Sequence, residues 1–162
     1  MRINPQQFEQ LLSAAVKWVA EQEAIVLEKG GALNKTELDY ARRIGIVYPE
    51  KVRLLKVPSF PIPTEPILKM AMESLEVQSS NIVGLTLRYA VFIKEDWWRQ
   101  QNSRKQLEFV VHELVHTHQY ERLGGIEPYL RQYLTERQIF SYPNNPLEVE
   151  ACQIATNILI KN

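Results

Sequence analysis

The amino-acid sequence predicts an α+β fold, with several helices packed around a small β-sheet. Three observations carry that expectation. Long amphipathic runs at helical spacing begin or end at cap residues, one run rich in β-branched and aromatic residues and a second β-compatible run stand apart from them, and the segments between are dense in proline and glycine. At 162 residues and 45% hydrophobic content there is material for one proper core. The chain therefore reads as a single domain over 1–162, with an N-terminal helical region and connector at 1–79 and the chemistry concentrated in 80–162.

Asn4 and Pro5 form an N-cap and first helical position, and Phe8, Leu11, Leu12, Ala15, Val16 and Val19 then recur at helical spacing up to the stop at Gly30-Gly31. Thr36, with Asp39 three residues on, predicts the start of a short second helix bearing Leu38, Ala41 and Ile44 and ending near Gly45. KVRLLKV at 51–57 is β-compatible. The next segment, 58–66, holds four prolines in nine residues and must be extended or turning. Residues 66–76 read as a helix, and Ser79, Ser80, Asn81 and Gly84 as a loop into LTLRYAVFI, 85–93, the best single-strand candidate. From Ser103 the pattern is helical, with a capping box of Ser103 and Gln106 and an end at Gly124-Gly125. Helices at 127–139 and 146–160 follow, the second opened by Asn145 as N-cap and Pro146.

Nineteen basic side chains balance nineteen acidic ones, so no net field draws nucleic acid or an anionic membrane to the surface. The lone Cys152 excludes an internal disulfide framework and fits a reducing compartment. With no signal-like N-terminus and no apolar run of spanning length, a soluble, cytoplasmic protein is expected, with no nucleic-acid or membrane partner.

The three histidines all fall within FVVHELVHTHQY, 109–120, and His112, Glu113 and His116 fit H-E-x-x-H. Two histidines four apart on a helix stand one turn above each other, so both imidazoles can reach one tetrahedral Zn²⁺. The glutamate between them projects one position round, where it can take a proton from metal-bound water as general base. On a helical wheel Leu107, Val111, Leu114, Val115 and His118 form one side, while Phe109, His112, Glu113, His116 and Tyr120 form the other. His118 therefore belongs with the packing face, not with the metal.

A catalytic zinc requires a third protein ligand and an open position. NPLEVEACQIATNIL, 145–159, offers Glu148, Glu150 and Cys152. Leu147, Ala151, Ile154 and Ile158 form an apolar stripe on that helix, with Glu148 and Cys152 along its border and Glu150 on the solvent side with Gln153 and Asn157. Glu148 is favoured as ligand. A capping-box role for Glu148 after Asn145 and ligation by Cys152 are the alternatives.

HELVHTHQ, then a glycine-containing turn and a tyrosine-rich helix, then NPLEVEA, resembles the compact gluzincin metallopeptidases, particularly the metallopeptidase-like domain associated with bacterial contractile injection systems. The resemblance covers roughly 80–160, including the strand before the metal helix. It implies a zincin-like fold, zinc held by His112, His116 and Glu148, Glu113 as catalytic base, and hydrolysis of peptide bonds in a protein or peptide substrate. The family often has a carboxylate or amide four residues after the ligand glutamate, supporting a metal-binding histidine; this chain has Cys152 there. An oxyanion-stabilising donor is also needed, and Tyr129, Tyr133 and Tyr142 are the candidates, with Tyr142 preferred for its place in a loop. The strand at 85–93, if at a sheet edge, could pair with an extended substrate. The alternative function is a zinc-containing binding or assembly module with little or no hydrolysis.

Overall fold

A computed structural model describes residues 3–161 and shows an α+β fold with helices packed on both faces of a small mixed sheet. The helices are α1 (Pro5–Lys29), α2 (Lys35–Ile44), α3 (Pro66–Ser74), α4 (Glu95–Arg99), α5 (Ser103–Leu123), α6 (Ile126–Arg137) and α7 (Pro146–Ile160), and the strands are β1 (Gly31–Ala32), β2 (Arg53–Val57), β3 (Gly84–Leu87) and β4 (Ala90–Lys94). The sheet order is β1-β2-β4-β3, with β2 and β4 parallel and the two outer pairs antiparallel. Among the described residues β3 is an edge.

Strand β4 shows how the sheet organises the core. Its side chains alternate at period two, so Ala90 and Phe92 join the cluster made with α1, α3 and α6, while Val91 and Ile93 join α2, α5 and α7 on the other face. Being buried on both faces, it reads in sequence as a continuous apolar run. Val110, Val111, Leu114 and Val115 of α5 are fully enclosed on the second face, each worth about 1.5–3 kcal/mol relative to exposure. Such a seat fixes α5 rigidly against the sheet.

Helix α1 starts at Asn4, whose side chain accepts from the Gln7 amide while Gln7 answers the Asn4 amide. Helix α7 starts at Asn145-Pro146, and α5 stops at Gly124, whose φ of 106° suits only glycine readily. Two caps differ from expectation. The second helix is capped by Asn34 with Glu37 as its reciprocal partner, not by Thr36 with Asp39, because Asn34 is a strong cap with a glutamate three residues on. Helix α5 is capped by Asn102, which accepts from the Lys105 amide, while Gln106 turns away to donate to the Trp98 and Gln101 carbonyls. Residues 51 and 52 also leave the expected strand, since Pro49–Lys51 forms a 3₁₀ turn.

The larger difference is at 85–93, which is a hairpin and not one strand. Leu87 pairs with Ala90, leaving Arg88-Tyr89 as a two-residue turn with Arg88 at φ 59°. A non-glycine residue there is strained. Buried Glu23 of α1 stabilises it: the carboxylate takes a two-pronged ion pair from the Arg88 guanidinium (2.8 and 2.5 Å) and the Tyr89 amide at 3.0 Å, while the Thr117 hydroxyl donates to the Arg88 carbonyl at 2.6 Å. No helix among the described residues is long and apolar enough to cross a membrane.

Candidate metal centre

The four-residue spacing on α5 places His112 and His116 on one side of the helix, and the first turn of α7 brings Glu148 to them. The two Nε2 atoms lie 3.2 Å apart, His112 Nε2 is 3.3 Å from Glu148 Oε2, and His116 Nε2 is 3.2 Å from Glu148 Oε1. Zinc bound at 2.0 to 2.1 Å in a tetrahedron needs donors about 3.3 to 3.4 Å apart. The imidazole nitrogens stand at about that separation, and the Glu148 carboxylate meets each of them with a different oxygen, so the three side chains converge on one point as ligands of a single ion would. Two nitrogens and one carboxylate form a donor set suited to zinc.

Glu148 does not serve as a cap: Asn145 accepts from the Leu147 amide with no return bond from Glu148, whose carboxylate turns to the imidazoles. Glu150, expected to face solvent, is half-buried and bound to Arg122 at 2.8 Å and to the Gln119 amide at 3.1 Å. Its helical phase does turn it away from the histidines, but Arg122 and Gln119 lie across that face. Cys152 lies on the Nδ1 side of the His112 ring, its Sγ 3.8 Å from that nitrogen, and so contacts His112 without joining the cluster of candidate donors. His118 points away from the cluster and lies half-buried beside Gly45 at the end of α2.

Gln119 was not singled out from sequence, yet it fixes the site. Its Oε1 lies 2.8 Å from His116 Nδ1, which favours a proton on that nitrogen and a lone pair on Nε2 toward the cluster. Its amide nitrogen donates to the Leu147 carbonyl at 2.8 Å, tying α5 to the start of α7. The signal available was position: Gln119 is three residues after His116 and shares its helix face.

Glu113 is buried beside the cluster, where the Thr86 hydroxyl donates to its carboxylate at 2.5 Å. Gly84, two residues before Thr86 on the same strand face, allows that approach. A Cβ at Gly84 would lie 2.7 Å from Glu113 Oε1 and 2.5 Å from the Phe109 ring. Strand β3 thus backs the glutamate with its own hydroxyl and an absent side chain.

Burial lowers the basicity of His116, but the adjacent Glu148 carboxylate outweighs it and raises the pKa to about 9. Burial pushes Glu148 up, and His116 with His112 overcomes that, holding it well below the usual carboxylate range. The Tyr142 hydroxyl is pushed upward by burial and by Glu148 and Glu113, so it remains a proton donor at neutral pH. Tyr142 lies in the 3₁₀ turn Tyr142–Asn144 and lines a cavity with Glu113, His116 and Glu148. Tyr129 and Tyr133 line it as well, but Tyr129 is sandwiched in a ring stack, 3.7 Å from Tyr120 and 6.1 Å from Tyr133 between centroids.

Fold and site together define a zincin-like arrangement: an H-E-x-x-H helix behind a small sheet, with a third acidic group from a downstream helix. Comparison of the chain with protein-family models, curated proteins and solved structures gave no match.

Proposed function

We propose that the chain is a zinc-dependent metallopeptidase of the gluzincin type, with His112, His116 and Glu148 holding the ion and Glu113 acting as general base. The observation that carries this reading is the convergence of the two imidazole Nε2 atoms, 3.2 Å apart, with the Glu148 carboxylate, whose two oxygens lie 3.2 and 3.3 Å from them, beside a buried, hydrogen-bonded glutamate. Zinc held there would supply Lewis-acid polarisation of a substrate carbonyl and acidify water. Glu113, oriented by Thr86, accepts the proton of the attacking water and returns it to the amine nitrogen as the C–N bond breaks. Tyr142 donates to the carbonyl oxygen as negative charge develops on it. Among the described residues no strand lies on the outer side of β3, which runs past Glu113, so an extended peptide can add along it and present its backbone to the site. The placement with the injection-system-associated domain rests on the sequence resemblance and is part of this proposal.

The test is Glu113→Gln with zinc content and peptide turnover measured together. A peptidase keeps about one zinc per chain and loses turnover by roughly three orders of magnitude or more. Wild-type protein that holds zinc and cleaves nothing in a broad peptide library would mean a binding or assembly module instead.

A further inference from the structure

Beside Glu113, His116 and Glu148 a cavity of about 130 Å³ runs inward between the sheet and the N-terminal helices. An apolar cavity of about 150 Å³ is large enough to hold benzene. The inner walls are Trp18 and Val19 of α1, Leu68 and Met72 of α3, and Leu130 and Leu134 of α6. Among the described residues that line it, the charged ones are confined to the Glu113, His116 and Glu148 end, so a charged guest at the inner walls would be dehydrated with no counter-ion beside it. The walls are anchored before any ligand arrives. Glu23 clamps α1 to the hairpin turn, and Glu9 takes a two-pronged ion pair from Arg131 of α6 at 2.7 and 3.1 Å.

We infer that this cavity receives a large apolar side chain, leucine, methionine or phenylalanine, from the substrate residue adjoining the scissile bond, and that α1 and α3 set the preference. The inference rests on the peptidase reading for its placement. Four of the six inner-wall residues, Trp18, Val19, Leu68 and Met72, lie before residue 80, outside the segment that carries the sequence resemblance. The N-terminal half is accordingly the specificity wall of the site.

The experiment titrates zinc-loaded protein, by calorimetry, with short uncleavable peptides in which a ketomethylene group replaces the scissile amide. Leu, Phe, Ala or Asp is placed on each side of it in turn. At one of the two positions Leu and Phe bind about tenfold or more tighter than Ala, and Asp binds weakest. Met72 is half-buried, so Met72→Trp has room to fold while its ring enters the cavity; it brings Leu and Phe to parity with Ala and leaves Ala unchanged. Trp18→Ala enlarges the cavity and moves the preference to naphthylalanine, and it keeps the test decisive if the filled variant does not fold. Parity of Leu and Ala in the wild type overturns the inference, as does a preference untouched in both folded variants. Selective binding without cleavage of the matching amides overturns the peptidase reading and leaves the cavity assignment standing; cleavage without selectivity does the reverse.

Discussion

Gln119 offers the sharpest test of how the candidate metal centre is built, because it contacts His116 and no other part of the proposed donor set. It is fully buried, with Oε1 2.8 Å from His116 Nδ1 and Nε2 2.8 Å from the Leu147 carbonyl. Gln119→Leu keeps the volume roughly constant but leaves His116 free to rotate or change tautomer. Loss of such support weakens metal affinity by about 10- to 100-fold, equivalent to roughly 1.4–2.7 kcal/mol. In the metal-free protein two buried groups each lose a partner, which costs about 2–4 kcal/mol in total after allowing for the packing of leucine. Gln119→Glu separates the two effects. It keeps an acceptor for His116 Nδ1 and makes it charged, yet it loses the donor to Leu147 and sets a carboxylate against Glu150, where the present contact is 3.1 Å. Both variants are therefore less stable without metal, but only the leucine variant loses zinc affinity. Competition against a chromophoric chelator reads the affinity, and urea unfolding of the metal-free protein reads the stability. A folded Gln119→Leu that binds zinc as tightly as wild type, or a Gln119→Glu that binds more weakly than Gln119→Leu, refutes the reasoning.

The metal-free centre also has a pH signature. His116, raised from 6.5 to about 9, contributes stability that is complete below pH 6.5 and is lost as pH rises through about 9. Glu148, lowered from 4.5, contributes stability present above pH 4.5 and lost as pH falls through its folded value, so both contributions are complete between 4.5 and 6.5. Zinc requires the neutral imidazole, so binding at pH 7 releases about one proton, and the release fades above pH 9. Calorimetry in buffers of different ionisation enthalpy measures it, and zero release at pH 7 contradicts the assignment. Gly84→Ala pushes a methyl group into Glu113 and Phe109; it costs about 1–3 kcal/mol of stability and lowers turnover while zinc stays bound, as thermal unfolding, metal analysis and kinetics together will show.

The metal helix and its partner were legible because helical spacing is local. Four residues between His112 and His116 fix their relative placement wherever the helix packs, and the apolar stripe of α7 put Glu148 and Glu150 on different faces. The turn at Arg88-Tyr89 was not legible, since neither residue is a turn former. Its geometry is sustained by Glu23, which lies 65 residues earlier in the chain. Glu23 itself looks like one of several surface glutamates on a long helix until its tertiary partner is known. The same limit hid Thr86: a threonine in a strand gives no local sign that its hydroxyl meets Glu113. The caps at Asn34 and Asn102 were legible in principle, and were missed because Ser and Thr a residue or two later offered competing signals.

The clamp of Glu23 on Arg88 and Tyr89 has a practical consequence for anyone trimming the protein. A fragment of residues 80–162 retains every metal donor, but it loses the carboxylate that holds the tight turn in its unfavourable backbone shape. It loses β2 as well, which pairs along the whole of β4, from Arg53 opposite Ala90 to Val57 opposite Lys94. The hairpin then presents a bare, flat and apolar margin on which a second copy can stack. Excision of the half that carries the metal-binding motif would therefore yield material that precipitates before its chemistry can be assayed, and the first helix is best regarded as the keeper of a strand it never adjoins in sequence.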